Sequence, residues 1–203
     1  EIELDASEDG GMEEIIQMQK TESNNVFSNF YEDNYLDWIN GRDSKIPIMS
    51  HTLLPKLVLP QIKEDGAFPT VLICLDNFRF DQWRAIKSSI TDYFRIENED
   101  MYYSIVPTAT SFSRSALFAG LLPNAIESRF GKQWDTESGG SADEKQLLEA
   151  MLKLHGKQVK SDFVNVSGLE EGRKLLDKIS EYLHNDLLVL SFNFVDMLTH
   201  SKT

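Results

Sequence analysis

The chain has 203 residues, enough for one sizeable domain or a domain with an extension, and no apolar run reaches the length of a membrane span. With 20 basic against 33 acidic residues its formal net charge is −13, which argues against broad binding to nucleic-acid backbones. The single cysteine, Cys74, excludes an intramolecular disulfide framework, and the acidic start EIELDASEDGGMEE has neither the basic nor the apolar region of a signal peptide. Both features fit a reducing, cytoplasmic setting.

Taken in chain order, residues up to about Gln19 carry a helical pattern with Met12, Ile15, Ile16 and Met18 partly on one stripe. Ser23-Asn24-Asn25 reads as a break. Asn29 to Asn40 reads as a second, short helix carrying Phe30, Tyr31, Tyr35, Leu36, Trp38 and Ile39, ended by Asn40-Gly41. Pro47, Pro55 and Pro60 make the next stretch an irregular connector or a short helix. Residues 1 to about 60 are thus expected to be a helical linker or docking segment without chemistry of its own.

The character changes at Pro69. Thr70 to Leu75 is an unbroken β-rich run, as expected of a central parallel strand covered on both faces. It ends at Asp76-Asn77 and leads into a helical pattern with Trp83, Ile86, Ile90, Tyr93 and Phe94. Tyr102 to Val106 is expected to be a further strand. After it, VPTATSFSRSALFAGLLP offers hydroxyls at Thr108, Thr110, Ser111 and Ser113 as helix N-caps, then a helical segment from Arg114 to Ala119. Gly120 fits the C′ position and Pro123 the stop. A hydroxyl at a helix N-terminus just after a strand favours an oxyanion there, and Arg114, one turn on, is placed to meet the same anion. An ordinary capped helix with spare hydroxyls is the plainer reading. The Gly- and Ser-rich segment from Pro123 to Ala142 reads as a loop or lid.

Glu144 to Leu154 is helical. Asp162 to Val166 reads as a strand, and Leu169 to Leu183 as an amphipathic helix with Leu175, Leu176, Ile179 and Leu183 inward. Leu187 to Val195 is another buried strand, ending at Asp196 with His200 four residues on. The alternation predicts an α/β domain with a mainly parallel sheet flanked by helices and an N-terminal helical extension. Three strand ends then carry polar chemistry: Asp76, Thr110, and Asp196 with His200. Carboxylates plus an imidazole suit Zn²⁺ or a similar ion, and a metal beside a hydroxyl can make it a nucleophile. Each residue also has a bland alternative, Asp76 as an N-cap and His200 as a solvated residue; His51, His155 and His184 read as surface residues.

LDNFRFDQW (Leu75 to Trp83), PTATSFSRSALFAGLLP and NFVDMLTH (Asn193 to His200) together resemble the PglZ domain of the alkaline phosphatase superfamily, in particular that of PorX-type response regulators of Bacteroidetes. The resemblance covers Pro69 to Thr203, with residues 1 to about 60 similar to the helical segment between receiver and PglZ domains. It implies a partial alkaline-phosphatase-like fold and a nucleophile ten residues before the Gly that closes its helix. Thr110 stands ten before Gly120, with Thr108 as the fallback. It further implies that Asp76 and Thr110 share one zinc ion and that Asp196 and His200 hold a second, the two about 4 Å apart. Arg114, and more weakly Asn77, would contact the phosphate.

The resemblance also implies ligands beyond Thr203, so the sequence is expected to be about half of a catalytic domain, binding metal poorly and inactive by itself. The implied activity is that of a zinc-dependent phosphodiesterase or phosphatase acting on a nucleotide-like phosphodiester, as the output domain of a response regulator linked to type IX secretion. A second reading is a non-catalytic module that acts by contact with a sigma factor or by dimerising; a sigma factor or histidine kinase is also an expected partner of the further domains that the resemblance implies. A PglZ-type protein of another context, such as phage defence, is the third.

Overall fold

The computed structural model describes residues 10–43, 45–63, 68–131 and 143–200, with residues 10 and 198–200 described by their backbone alone. The chain divides into two compact units, Glu1–Pro47 and Ile48–Thr203. The first contains one continuous helix, α1 (Gly10–Ile39), where the sequence predicted a break at Ser23-Asn24-Asn25. Ser and Asn each lower helix propensity by less than about 0.7 kcal/mol, and no proline interrupts the run, so the helix passes through them. The stop at Gly41 is as expected: its φ is 68°. The C-terminal half of α1 carries a ladder of rings, with Tyr31 stacked on Tyr35 at 5.0 Å and meeting Trp38 edge-on at 5.8 Å.

The second unit opens with a short helix, α2 (Ser50–Leu53), which continues through a π turn (Leu54–Val58) and a 3-10 turn (Leu59–Gln61). There follow β1 (Thr70–Leu75), α3 (Phe80–Thr91), α4 (Thr110–Ala119), α5 (Pro123–Phe130) and α6 (Glu144–Leu154). The last elements are β2 (Ser161–Val166), α7 (Leu169–Tyr182), β3 (Leu187–Phe192) and α8 (Phe194–His200). Among the described residues the sheet has three parallel strands in the order β1-β3-β2. Their registers coincide: Leu75 and Val166 both pair with Phe192. All three strands therefore end at one level, and the segments that leave them share one edge of the sheet.

β3 is the central strand, buried from Leu187 to Ser191, and its leucines and valine reach both faces. Leu188 and Leu190 pack with Val166 and with Leu175 of α7. The alternate residues face the other layer, where Phe118 of α4 meets Phe163 of β2 edge-on at 5.2 Å. α4 packs on α6 and on α2.

Several expectations change. β1 is an edge strand of this sheet rather than a central one, and Val71 and Ile73 are exposed on the face it shares with Leu188 and Leu190. Residues 102–106 form no strand; Tyr103 makes one isolated parallel bridge to Met49, fixed by Ser50 N–H to Tyr103 O and Tyr103 N–H to Ile48 O. Pro123 starts a helix rather than a loop, because proline suits the first helical position. The Ser138–Ser141 stretch of the expected lid lies outside the described residues. In α7 only Leu175 is buried, while Leu176 is 71 % exposed and Leu183 and Ile179 are exposed as well. α3 buries none of its residues, and Tyr93 and Phe94 lie beyond its end.

Candidate functional site

The shared edge gathers most of the polar residues picked out from the sequence. Asp76 directly follows β1, and its N–H donates to Phe192 O at 2.8 Å, so it is fastened to the end of β3. Asn77 comes next, exposed and at φ 54°, a left-handed conformation that asparagine tolerates better than most residues. Across from β1, Asp196 lies in the first turn of α8, and His200 closes that helix one turn later. Thr110 is the first residue of α4, as exposed as Thr108 before it.

α4 begins four residues earlier than the sequence indicated. Its N-cap is Ala109, which has no side chain able to cap, and none of the four nearby hydroxyls takes that place. Ser113 Oγ instead donates back to Thr108 O at 3.0 Å. The start of the helix therefore has no side-chain cap, which is the condition for an anion to be favoured there. At the other end Gly120 adopts φ 63°, as its place in the sequence required.

Arg114 ties these pieces together. It lies one turn after Thr110 on α4, with its side chain only 14 % exposed. Nη1 donates to Asp76 Oδ2 at 2.8 Å, and Nη2 donates to Glu144 Oε2 at 2.9 Å and to Ser191 Oγ. Nε lies against Glu144 Oε1, an ion pair outside hydrogen-bond alignment. The guanidinium also sits over the ring of Phe118, 5.9 Å from its centroid. One side chain thus joins the end of β1, the end of β3, α4 and the start of α6. Breaking such an enclosed pair from one side typically costs about 3–5 kcal/mol, because a charge is left behind without its partner.

The electrostatics follow from this enclosure. Burial pushes the Glu144 carboxyl above the usual range against the pull of Arg114, with Asp76 and Asp143 adding to the rise. Burial opposes the charge on Arg114, but its hydrogen bond to Glu144 and the charges of Glu144 and Asp76 outweigh it and raise its pKa. Cys74 pairs in register with Ser191 and so faces the same layer; burial pushes its thiol up to about 11.

Glu144 and Ser191 escaped the sequence reading. Ser191 had a signal, a lone hydroxyl inside the apolar run LLVLSF. Glu144 had none, since an acid in the first turn of a helix is commonplace. His155 and His184 are exposed, as expected of surface residues, but His51 is half-buried, and burial together with Lys56 lowers its pKa.

Among the described residues no three His, Cys, Asp or Glu side chains form a ready metal cage. The donors at the edge nevertheless have the right chemistry for a divalent ion: two carboxylates, Asp76 and Asp196, and the Thr110 hydroxyl. Asn193, between β3 and α8, adds a buried Oδ1 acceptor without a partner among the described residues.

Carboxylates at the carboxyl edge of a parallel sheet lie where open α/β folds place their ligand sites. Residues 53–203 match the family described as the BREX system PglZ alkaline phosphatase-like domain, and the chain belongs to that family. Residues 1–39 match the PorX response regulator linker domain, so the module is associated with a response-regulator linker. A comparison with curated proteins finds no match. Among the described residues no helix is long and apolar enough to cross a membrane.

Proposed function

We propose that this chain carries the phosphoryl-transfer site of a metal-dependent phosphodiesterase or phosphatase, with Thr110 as nucleophile. The observation that carries the reading is the Arg114 tie: it holds the helix that begins at Thr110 against Asp76 at the end of β1 and Ser191 at the end of β3. Thr110 Oγ1, its proton given up to solvent, would attack phosphorus, forming a P–O bond while the ester oxygen departs with the bonding pair and takes a proton from solvent. Water would then hydrolyse the phosphothreonine and return the hydroxyl. The uncapped first turn of α4 favours the charge that develops on the phosphoryl oxygens.

Asp76 and Thr110 would hold one zinc ion, and Asp196 with His200 a second. Bound there, zinc supplies positive charge that lowers the pKa of a hydroxyl and stabilises oxyanions. Asn77, exposed beside Asp76, is a candidate substrate contact. Four of the five Arg114 N–H groups face protein acceptors, which leaves one for the phosphate. The linker match supports a place as the output module of a cytoplasmic two-component response regulator linked to type IX secretion, with a nucleotide-type phosphodiester as substrate.

The exposed leucines of α7 favour a second reading, a partner-binding module that contacts a sigma factor or a second copy. Hydrolysis of bis-p-nitrophenyl phosphate by the protein at its full natural length, with and without Thr110→Val, separates the two. Near two zinc ions in the unsubstituted protein, with turnover lost in Thr110→Val, supports the enzyme. Equal turnover in both forms removes Thr110 from the chemistry.

A further inference from the structure

The Glu144–Arg114–Asp76 chain has a consequence for the site. Arg114 stands between two carboxylates, with one Nη on Asp76 and the other, together with Nε, on Glu144. Glu144 is the more enclosed of the two, 11 % exposed against 22 % for Asp76. It is held from another element, at the start of α6, where its backbone is set by the Asp143 cap on the Lys145 N–H. A guanidinium paired side-on with the Glu144 carboxylate presents a smaller net positive field to Asp76 and to any anion at the start of α4. Without Glu144 the positive charge of Arg114 would face Asp76 alone, compete with a cation for that carboxylate and hold a phosphate after hydrolysis.

We propose that Glu144 is a positioning residue that sets the balance between the two ligands of the site: by compensating the positive charge of Arg114 with its own negative one it keeps Asp76 available to a divalent cation and keeps phosphate from binding too tightly. The inference rests on the phosphoryl-transfer reading above. It predicts shifts of opposite sign, which loss of packing alone does not produce. Glu144→Gln removes the charge and retains an acceptor for Nη2–H, and Glu144→Asp restores the charge on a shorter side chain.

The test uses the protein at its full natural length. Zinc affinity is measured by competition with a chromophoric chelator, and inorganic phosphate is measured as an inhibitor of bis-p-nitrophenyl phosphate hydrolysis. Glu144→Gln should weaken zinc about tenfold and tighten phosphate about tenfold, with Glu144→Asp returning both toward the wild type. Zinc and phosphate weakening together in Glu144→Gln, or neither changing, overturns the inference while leaving the function intact. Wild-type protein that binds neither zinc nor phosphate overturns both.

Discussion

Gly120 closes the helix that begins at Thr110, and replacing it by alanine tests how firmly that helix is seated. Two separate costs arise. The first is conformational: Gly120 has φ 63°, where a Cβ costs about 1–2 kcal/mol. The second is steric: the new Cβ would stand 2.8 Å from Met151 Cγ of α6 and 3.2 Å from Pro55 Cγ in the π turn. Methionine can swing aside, but the proline ring is fixed in a turn that packs on α2, so about 1–3 kcal/mol of overpacking remains. Gly120→Ala is therefore expected to lose about 2–5 kcal/mol. Gly156, at φ 70° with nothing within 4 Å, provides the control: its alanine variant bears the backbone cost alone, about 1–2 kcal/mol. Urea unfolding followed by circular dichroism measures both. If Gly120→Ala is no less stable than Gly156→Ala, the contact of α4 with α6 and the π turn is looser than described, and so is the seat of Thr110.

Two further outcomes are expected from the same layer. Phe118, fully buried, packs on Phe163 and beneath the Arg114 guanidinium, so Phe118→Ala should cost about 3–5 kcal/mol in urea unfolding; a loss under about 1 kcal/mol would mean the layer is not closed there. Cys74, with its thiol raised to about 11 from an ordinary 9.0, should react with iodoacetamide far more slowly in the folded than in the unfolded protein. Because the folded pKa is the higher one, the neutral thiol's contribution to stability is intact below pH 9 and is lost as pH rises through about 11. A Cys74→Ser variant should lack that alkaline loss; equal loss in both forms would assign it to other groups.

The legible and the hidden parts of the fold have physical causes. The run LLVLSF was legible as a parallel strand because burial makes such strands continuously apolar, and TVLICL was legible by the same unbroken β-rich pattern although Val71 and Ile73 are exposed. Gly120 was legible as a helix stop because few residues other than glycine take that conformation cheaply. Which strand is central was not legible, since β1 and β3 read alike and only the pairing separates them. The start of α4 was misplaced because propensity points to hydroxyl caps, whereas the chain caps with Ala109 and leaves the helix end open. The continuity of α1 was missed because three weakly unfavourable residues were read as a break. The places of Asp76 just after β1 and of Thr110 at the start of α4 were legible from a strand run followed by polar residues and from a helix bounded by Gly120. The partnership of Arg114 with Glu144 spans 30 residues of chain and rests on the packing of α4 against α6, which no local pattern encodes.

The central claim is that the hydroxyl at the start of α4 attacks phosphorus. Its most direct test is to quench the full-length protein in acid during turnover of bis-p-nitrophenyl phosphate and to map the covalent adduct by mass spectrometry of its peptides. The account predicts a phosphoryl ester on Thr110, absent from the Thr110→Val form. Turnover with the peptide containing Thr110 unmodified, or the ester on another residue such as Thr108, would contradict it.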